Sequence, residues 1–230
     1  MAIRGYRTLG QFLGEQKLVR ATLNPSTGLP APFRQRMERG VSVFDIDETM
    51  TLARADKQDL VREAVEMKAK RPNDPSVWDA FHASLGDDKV NPAMEHIFRA
   101  AREDHSVVML TARGAGGRDI TIDWLRNHDL MPDALITRPL SLDGMRSADY
   151  KERMIRQRIP HRAQIKALYD DDPGVLEMAS RNPRIENVVQ VKDHIPSFYS
   201  TARDQLMKQK AMGADGLTRI QTVGRSAGGY

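Results

Sequence analysis

A chain of 230 residues with 40% apolar and 29% charged residues has the composition of a globular domain with room for an insertion, and this excludes a disordered or membrane-spanning class. The formal charge of +4 is uneven: residues 1–40 carry seven Lys/Arg against two acids and residues 201–230 carry five against two, so the middle is mildly acidic. Without cysteine there are no disulfides, thiolate metal sites or cysteine nucleophiles, and no run approaches the roughly 20 apolar residues of a membrane span, so a cytoplasmic protein is expected.

In chain order, residues 1–40 form a weakly patterned basic extension, with a short amphipathic helix expected at Leu9, Phe12 and Leu13 and a Pro- and Gly-rich loop after it. A core of residues 41–200 follows. Its first strand is Val41 to Asp45, a short apolar run ending in acids. Lys57 to Lys70, with Leu60, Ala64, Val65 and Met67, reads as a one-faced helix, and Val77, Trp78 and Phe81 suggest a second. Together they predict a small helical cap insertion at about 53–90. Asn91-Pro92 opens the next helix, and Ser106 to Thr111 is the second strand.

The alternation then continues. A glycine-rich loop at 114–117 leads to a helix through Ile120 and Leu125, a strand at Ala134 to Thr137, and a helix capped by Ser147. Ile165 to Tyr169 is a strand ending in Asp170-Asp171-Asp172-Pro173, and a helix near Val175 to Ala179 and a strand at Asn187 to Val191 complete the unit. Pro196 is expected to open a final helix to about Met212, before a basic glycine-rich tail within 201–230. Strands alternating with helices predict an α/β fold with a parallel sheet.

Three strands end in reactive polar residues: Asp45 and Asp47, then Thr111 with Arg113 close by, then Asp170 and Asp171, with Lys151 on the helix between the last two. Carboxyl ends of parallel strands face the ligand crevice. An aspartate nucleophile, a hard cation held by oxygens and a few cations around phosphate oxygens are what phosphoryl transfer asks of a protein. The six histidines show no paired metal spacing. The glycines at 114, 116 and 117 are followed by no Gly-Lys-Ser/Thr, so they form no nucleotide loop.

In this order Asp45-Ile46-Asp47-Glu48-Thr49, Thr111, Lys151 and Asp170-Asp171 resemble the motifs of the haloacid dehalogenase-like (HAD) phosphohydrolase superfamily. Asn91-Pro92, Thr111-Ala112-Arg113 and Val175-Leu176-Glu177-Met178 look, within it, like the 3'-phosphatase domain of phage polynucleotide kinase/phosphatases. The resemblance covers about residues 41–192. It implies a Rossmann-like sheet of about five strands in the order 5-4-1-2-3 with helices on both faces, and a Mg2+-dependent phosphatase. Asp45 would be nucleophile and metal ligand, and Asp47 the general acid/base that also offers its carbonyl to the metal. Thr111 and Lys151 would hold phosphoryl oxygens, Asp170 and Asp171 would serve the metal, and Arg113 would contact substrate phosphates. The departure is Glu48, where many members have glycine. The implied substrate is a phosphorylated one, with a nucleic-acid end or a small nucleotide or metabolite as alternatives. Basic tails binding nucleic acid, a protein partner or a second copy make an assembly role, for example in a phage particle, the contrasting expectation.

Overall fold

The structure, a computed structural model, describes residues 37, 39–71 and 74–199. The expectations placed on residues 1–36 and 200–230 therefore lie outside the described residues. Six strands form one sheet: β1 (Val41–Phe44), β2 (Ser106–Gly114), β3 (Ala134–Arg138), β4 (Ile165–Asp170), β5 (Val188–Lys192) and β6 (Ile195–Phe198). Their order is β3-β2-β1-β4-β5-β6, in which the first five are parallel and β6 is antiparallel to β5. The count of about five strands is corrected to six, because β6 is added beside β5 at the edge of the five parallel strands. What the sequence reading missed is the edge strand.

That edge strand also corrects the helix expected from Pro196. Asp193 and His194 have φ of 50° and 67°, the left-handed pair of a two-residue hairpin, so the chain folds straight back along β5. Pro196 pairs with Val191. The neighbouring pair Lys192 and Ile195 flanks the turn, and Tyr199 N–H donates to the Val188 carbonyl at 2.8 Å, so alternate pairs carry the hydrogen bonds and Pro196 is at a position where none is required.

Successive residues of each strand serve opposite faces. Val41, Val43, Val108 and Leu110 pack with Tyr150, Met154, Ile155 and Val175, from α5 (Ser147–Arg158) and α6 (Pro173–Ser180), on one side. Phe44, Val107 and Met109 pack with Met94, Phe98, Ile122 and Trp124, from α3 (Pro92–Asp104) and α4 (Arg118–Asn127), on the other. Phe44 stacks on Tyr169 at 4.4 Å between ring centroids and meets Phe98 edge-on at 5.5 Å. The α5 helix begins at Ser147, with Arg146 as an N-cap lacking a side-chain bond, in place of the expected Ser147 cap. Asp149 in its first turn instead holds Arg146, at 2.8 and 2.9 Å.

Between β1 and α3 the chain forms α1 (Ala55–Lys70), a 3-10 turn at Pro75–Trp78, α2 (Asp79–Ser84) and a further 3-10 turn at Leu85–Asp87. The α1 helix does not bury the apolar face its sequence suggests. Its buried residues are Lys57 and Ala64, whereas Val61, Val65 and Met67 are exposed. Among the described residues no helix is long and apolar enough to cross a membrane.

Candidate active site

The loop after β1 is held in shape by its own backbone and by Asn91. Thr51 N–H returns to the Ile46 carbonyl at 2.9 Å, and the Asn91 amide donates to the carbonyls of Thr49 and His194, both at 3.1 Å. Asn91 Oδ1 also accepts from Ala93 N–H, which caps α3. Glu48 stands in this loop with φ of 55°, a left-handed conformation in which glycine carries no steric penalty. Its backbone N–H is satisfied by Thr51 Oγ1 at 3.1 Å and its carboxylate by Gln58 Nε2 at 3.0 Å.

The tips of β1 and β4 bring together Asp45, Asp170 and Asp171, each offering an oxygen within 4.8 Å of the others. Lys151, reaching across from α5, donates to Asp45 at 2.8 Å and to Asp170 at 2.7 Å. Asp171 accepts from Thr49 Oγ1 at 3.2 Å, and Asp170 Oδ1 accepts the Asp172 N–H at 3.1 Å. Three carboxylates thus face one ammonium in a largely buried place. Burial raises the pKa of Asp45 well above the ordinary carboxylate range, against the pull of Lys151. It raises Asp170 as well, and together with the Asp170 charge it pushes Asp171 up to about 7. Burial alone would lower the Lys151 pKa, but Asp170 and Asp45 outweigh it and raise it, so Lys151 stays charged. Excess negative charge on oxygen donors fits a hard divalent cation; this cluster could bind a metal ion.

Asp47, two residues on, belongs to a different cluster. Arg113 grips it with two bonds, Nε to Oδ2 and Nη2 to Oδ1, both at 2.9 Å, and Lys57 donates to Oδ1 at 2.5 Å. Buried Asp88 completes the set, accepting from Lys57 at 2.6 Å, Arg113 at 2.7 Å and Arg54 at 3.3 Å. Its backbone carbonyl takes the indole N–H of Trp124 at 2.6 Å, which ties the end of the insertion to α4. Burial opposes the charge on Asp47, but Arg113 and Lys57 overcome it and hold the group well below the usual carboxylate range. The Arg113 side chain is fully enclosed and bonded also to Thr121, so in this structure it positions Asp47 and does not reach into open space. Thr111 is buried on β2, its hydroxyl oxygen accepting the Arg113 N–H at 3.1 Å.

Sequence reasoning named Asp45, Asp47, Thr111, Arg113, Lys151, Asp170 and Asp171, and these all lie at the same edge of the sheet. It missed Lys57, Asp88 and Arg54. Lys57 and Arg54 stand where a helix begins among charges, and Asp88 lies in the polar run Gly86-Asp87-Asp88-Lys89, so nothing local marks them. Lys166, the lysine inside β4, pairs with Glu186 at 2.8 Å and covers Gly40, away from the aspartates.

Two cavities open beside the clusters. One, of about 330 Å³, runs from Asp47 and Arg113 past Ala112 and Gly114 to Arg138 and Asp143, roofed by Lys57, Val61, Trp78, Phe81 and His82. The other, of about 430 Å³, lies against Asp171, Pro173 and the β5–β6 turn. Glu48 and Gln58 line both, so their hydrogen bond forms part of the wall between them.

No family model matches the chain, and no curated protein matches it. Solved structures do. A chain of a structure described as the Pnkp1/Rnl/Hen1 complex shares 20% identity at a TM-score of 0.50 over 76% of this chain and 50% of its own length. One from the Pnkp1/Rnl/Hen1 RNA repair complex shares 18% at 0.51, over 79% and 52%. The chain spans about half the length of these neighbours, and at such identity the likeness is one of fold.

Proposed function

We propose that the chain is a magnesium-dependent phosphomonoester hydrolase of the HAD type, working through an aspartyl-phosphate on Asp45 and acting on 3'-phosphates at polynucleotide ends. The observation that carries this reading is the convergence of Asp45, Asp170 and Asp171 about Lys151 at the tips of two adjacent parallel strands. Fold neighbours from an RNA repair complex support a nucleic-acid end as substrate over a small metabolite.

In this reading Asp45, Asp170 and Asp171 hold the magnesium, which supplies neutralising charge to the phosphoryl oxygens. A carboxylate oxygen of Asp45 attacks phosphorus, the bond from phosphorus to the ester oxygen breaks, and that oxygen leaves with a proton from Asp47. Asp47 is ionised and paired at rest, so this proton arrives with the substrate, whose phosphate has a second pKa near 6. In the second half Asp47 takes a proton from water as the water oxygen attacks phosphorus. The bond from phosphorus to Asp45 breaks, and inorganic phosphate is released with the proton from Asp47, which returns to its ionised form. Lys151 holds its charge throughout and balances the transferring group, and Arg113 and Lys57 keep Asp47 aimed.

Magnesium-dependent phosphate release from a 3'-phosphorylated oligonucleotide, nucleoside monophosphates and an aryl phosphate, with Asp45→Asn as control, tests this. Release from the oligonucleotide that disappears in the variant is expected. No release from any substrate, or equal release by the variant, overturns the enzyme reading. Preference for mononucleotides removes the polynucleotide reading alone.

A further inference from the structure

We propose that the 330 Å³ cavity holds the leaving group and that Arg138, at its far end, binds a second phosphate on that group, which makes Arg138 a specificity-determining residue. This rests on the phosphohydrolase reading and deepens it, because it specifies a substrate with two phosphates on one nucleoside unit: the scissile 3'-phosphate and the 5'-phosphate of the same nucleotide.

Placement comes first. Arg138 ends β3 and pairs in register with Gly114 at the end of β2, while Asp47 follows β1. Since neighbouring strands lie about 4.8 Å apart, the β3 tip is roughly 10 Å from the β1 tip, a span suited to one nucleoside. The cavity runs along that edge.

Charge comes second. Each lysine or arginine of the two clusters is already occupied: Lys151 by Asp45 and Asp170, Lys57 and Arg113 by Asp47 and Asp88, and Arg54 by Asp56 and Asp88. Even Asp143, the acid beside Arg138, gives its carboxylate to Lys68 at 2.5 Å and offers Arg138 its backbone carbonyl, at 3.3 Å. Among the described residues Arg138 is the one Lys or Arg lining this cavity that has no carboxylate partner.

It is also held in place. The guanidinium lies 5.0 Å over the Tyr150 ring. A half-buried guanidinium that lines a cavity with no carboxylate beside it favours an anion there, and a phosphate matches its fork. Between Arg138 and Asp47 the wall is largely apolar and aromatic, with Trp78 and Phe81 in edge contact at 5.8 Å. That wall suits the uncharged body of a nucleoside.

Two measurements decide it. In the first, kcat/KM for phosphate release at the 3' position is compared between a nucleoside 3',5'-bisphosphate and the matching nucleoside 3'-monophosphate. The unmodified protein should prefer the bisphosphate by at least tenfold; Arg138→Gln should bring the ratio near one, and Arg138→Lys should leave it between. In the second, the bisphosphate is titrated into the Asp45→Asn protein with and without Arg138→Gln, and binding should weaken at least tenfold with it. An unmodified protein with no preference for the bisphosphate, which requires no variant to fold, or an Arg138→Gln ratio equal to its own, overturns the assignment. Binding that depends on Arg138 without hydrolysis of any substrate leaves the phosphate site standing and brings down the phosphatase reading.

Discussion

Two clusters of buried charge lie side by side at the sheet's edge and share one short loop, yet they are built to opposite electrostatic ends. Around Asp45, Asp170 and Asp171 there is too little positive charge, and the carboxylates are pushed toward protonation. Around Asp47 and Asp88 there are three cations, and Asp47 is pushed the other way. Two aspartates separated by a single residue therefore differ because the β1 backbone aims one at α5 and the other at α1 and β2. The first cluster is left incomplete in charge and could bind a cation; the second is neutralised within the folded chain. A site that binds and turns over needs the first property, and a site that holds an acid/base in aim needs the second.

The largest test of this contrast is a pair of neutralising changes. On the proposed mechanism Asp45→Asn should lower phosphate release by more than about 10³-fold, since the covalent intermediate could not form, while leaving the metal-free protein as stable as before or more so. Asp88→Ala should do the reverse in kind. Lys57 and Arg113 would each lose a buried partner, at a cost of about 3–5 kcal/mol in denaturant unfolding, with activity falling as Asp47 loses its aim. Equal stability losses in the two variants would erase the distinction.

How much of this was written locally follows the same division. Asp45, Asp170 and Asp171 end apolar strand runs, and a carboxylate at the tip of a buried parallel strand is visible in sequence because the run that precedes it is. Lys151 was reachable through its place on the intervening helix. Lys57 and Asp88 were not, because their burial is created when the insertion closes over the β1 tip, and a lysine facing inward from a charged helix has no periodic signature. Pro196 shows the same limit: proline suits a first helical turn and a sheet edge equally, and the left-handed turn at Asp193 and His194 decided between them.

A smaller effect sharpens the incomplete cluster. With its pKa near 7, Asp171 carries a proton below neutrality in the metal-free protein, and a bound cation must displace it. The raised value means that protons compete with metal below about pH 7 and cease to above it. Magnesium affinity by titration calorimetry should therefore rise by at least roughly tenfold per pH unit up to about 7, for the Asp171 proton alone. An affinity flat from pH 5.5 to 8 would mean that Asp171 is already ionised without metal.

The smallest effect concerns Glu48, which borders both clusters. Its left-handed backbone carries a penalty of about 1–2 kcal/mol for a residue with a Cβ, and its negative charge adds to those raising Asp171. Against these stand its hydrogen bond to exposed Gln58 and the extra freedom that glycine has when unfolded, each worth roughly 0.5–1 kcal/mol. Because both unfavourable terms act through the incomplete cluster's own loop, Glu48→Gly should raise metal-free stability by up to about 1 kcal/mol and move the magnesium titration to lower pH. The two readouts must move together if Glu48 acts on Asp171 through charge. Added stability with an unmoved titration would assign the gain to backbone strain alone, and lost stability would make the bond between Glu48 and Gln58, the partition between the two cavities, the stronger term.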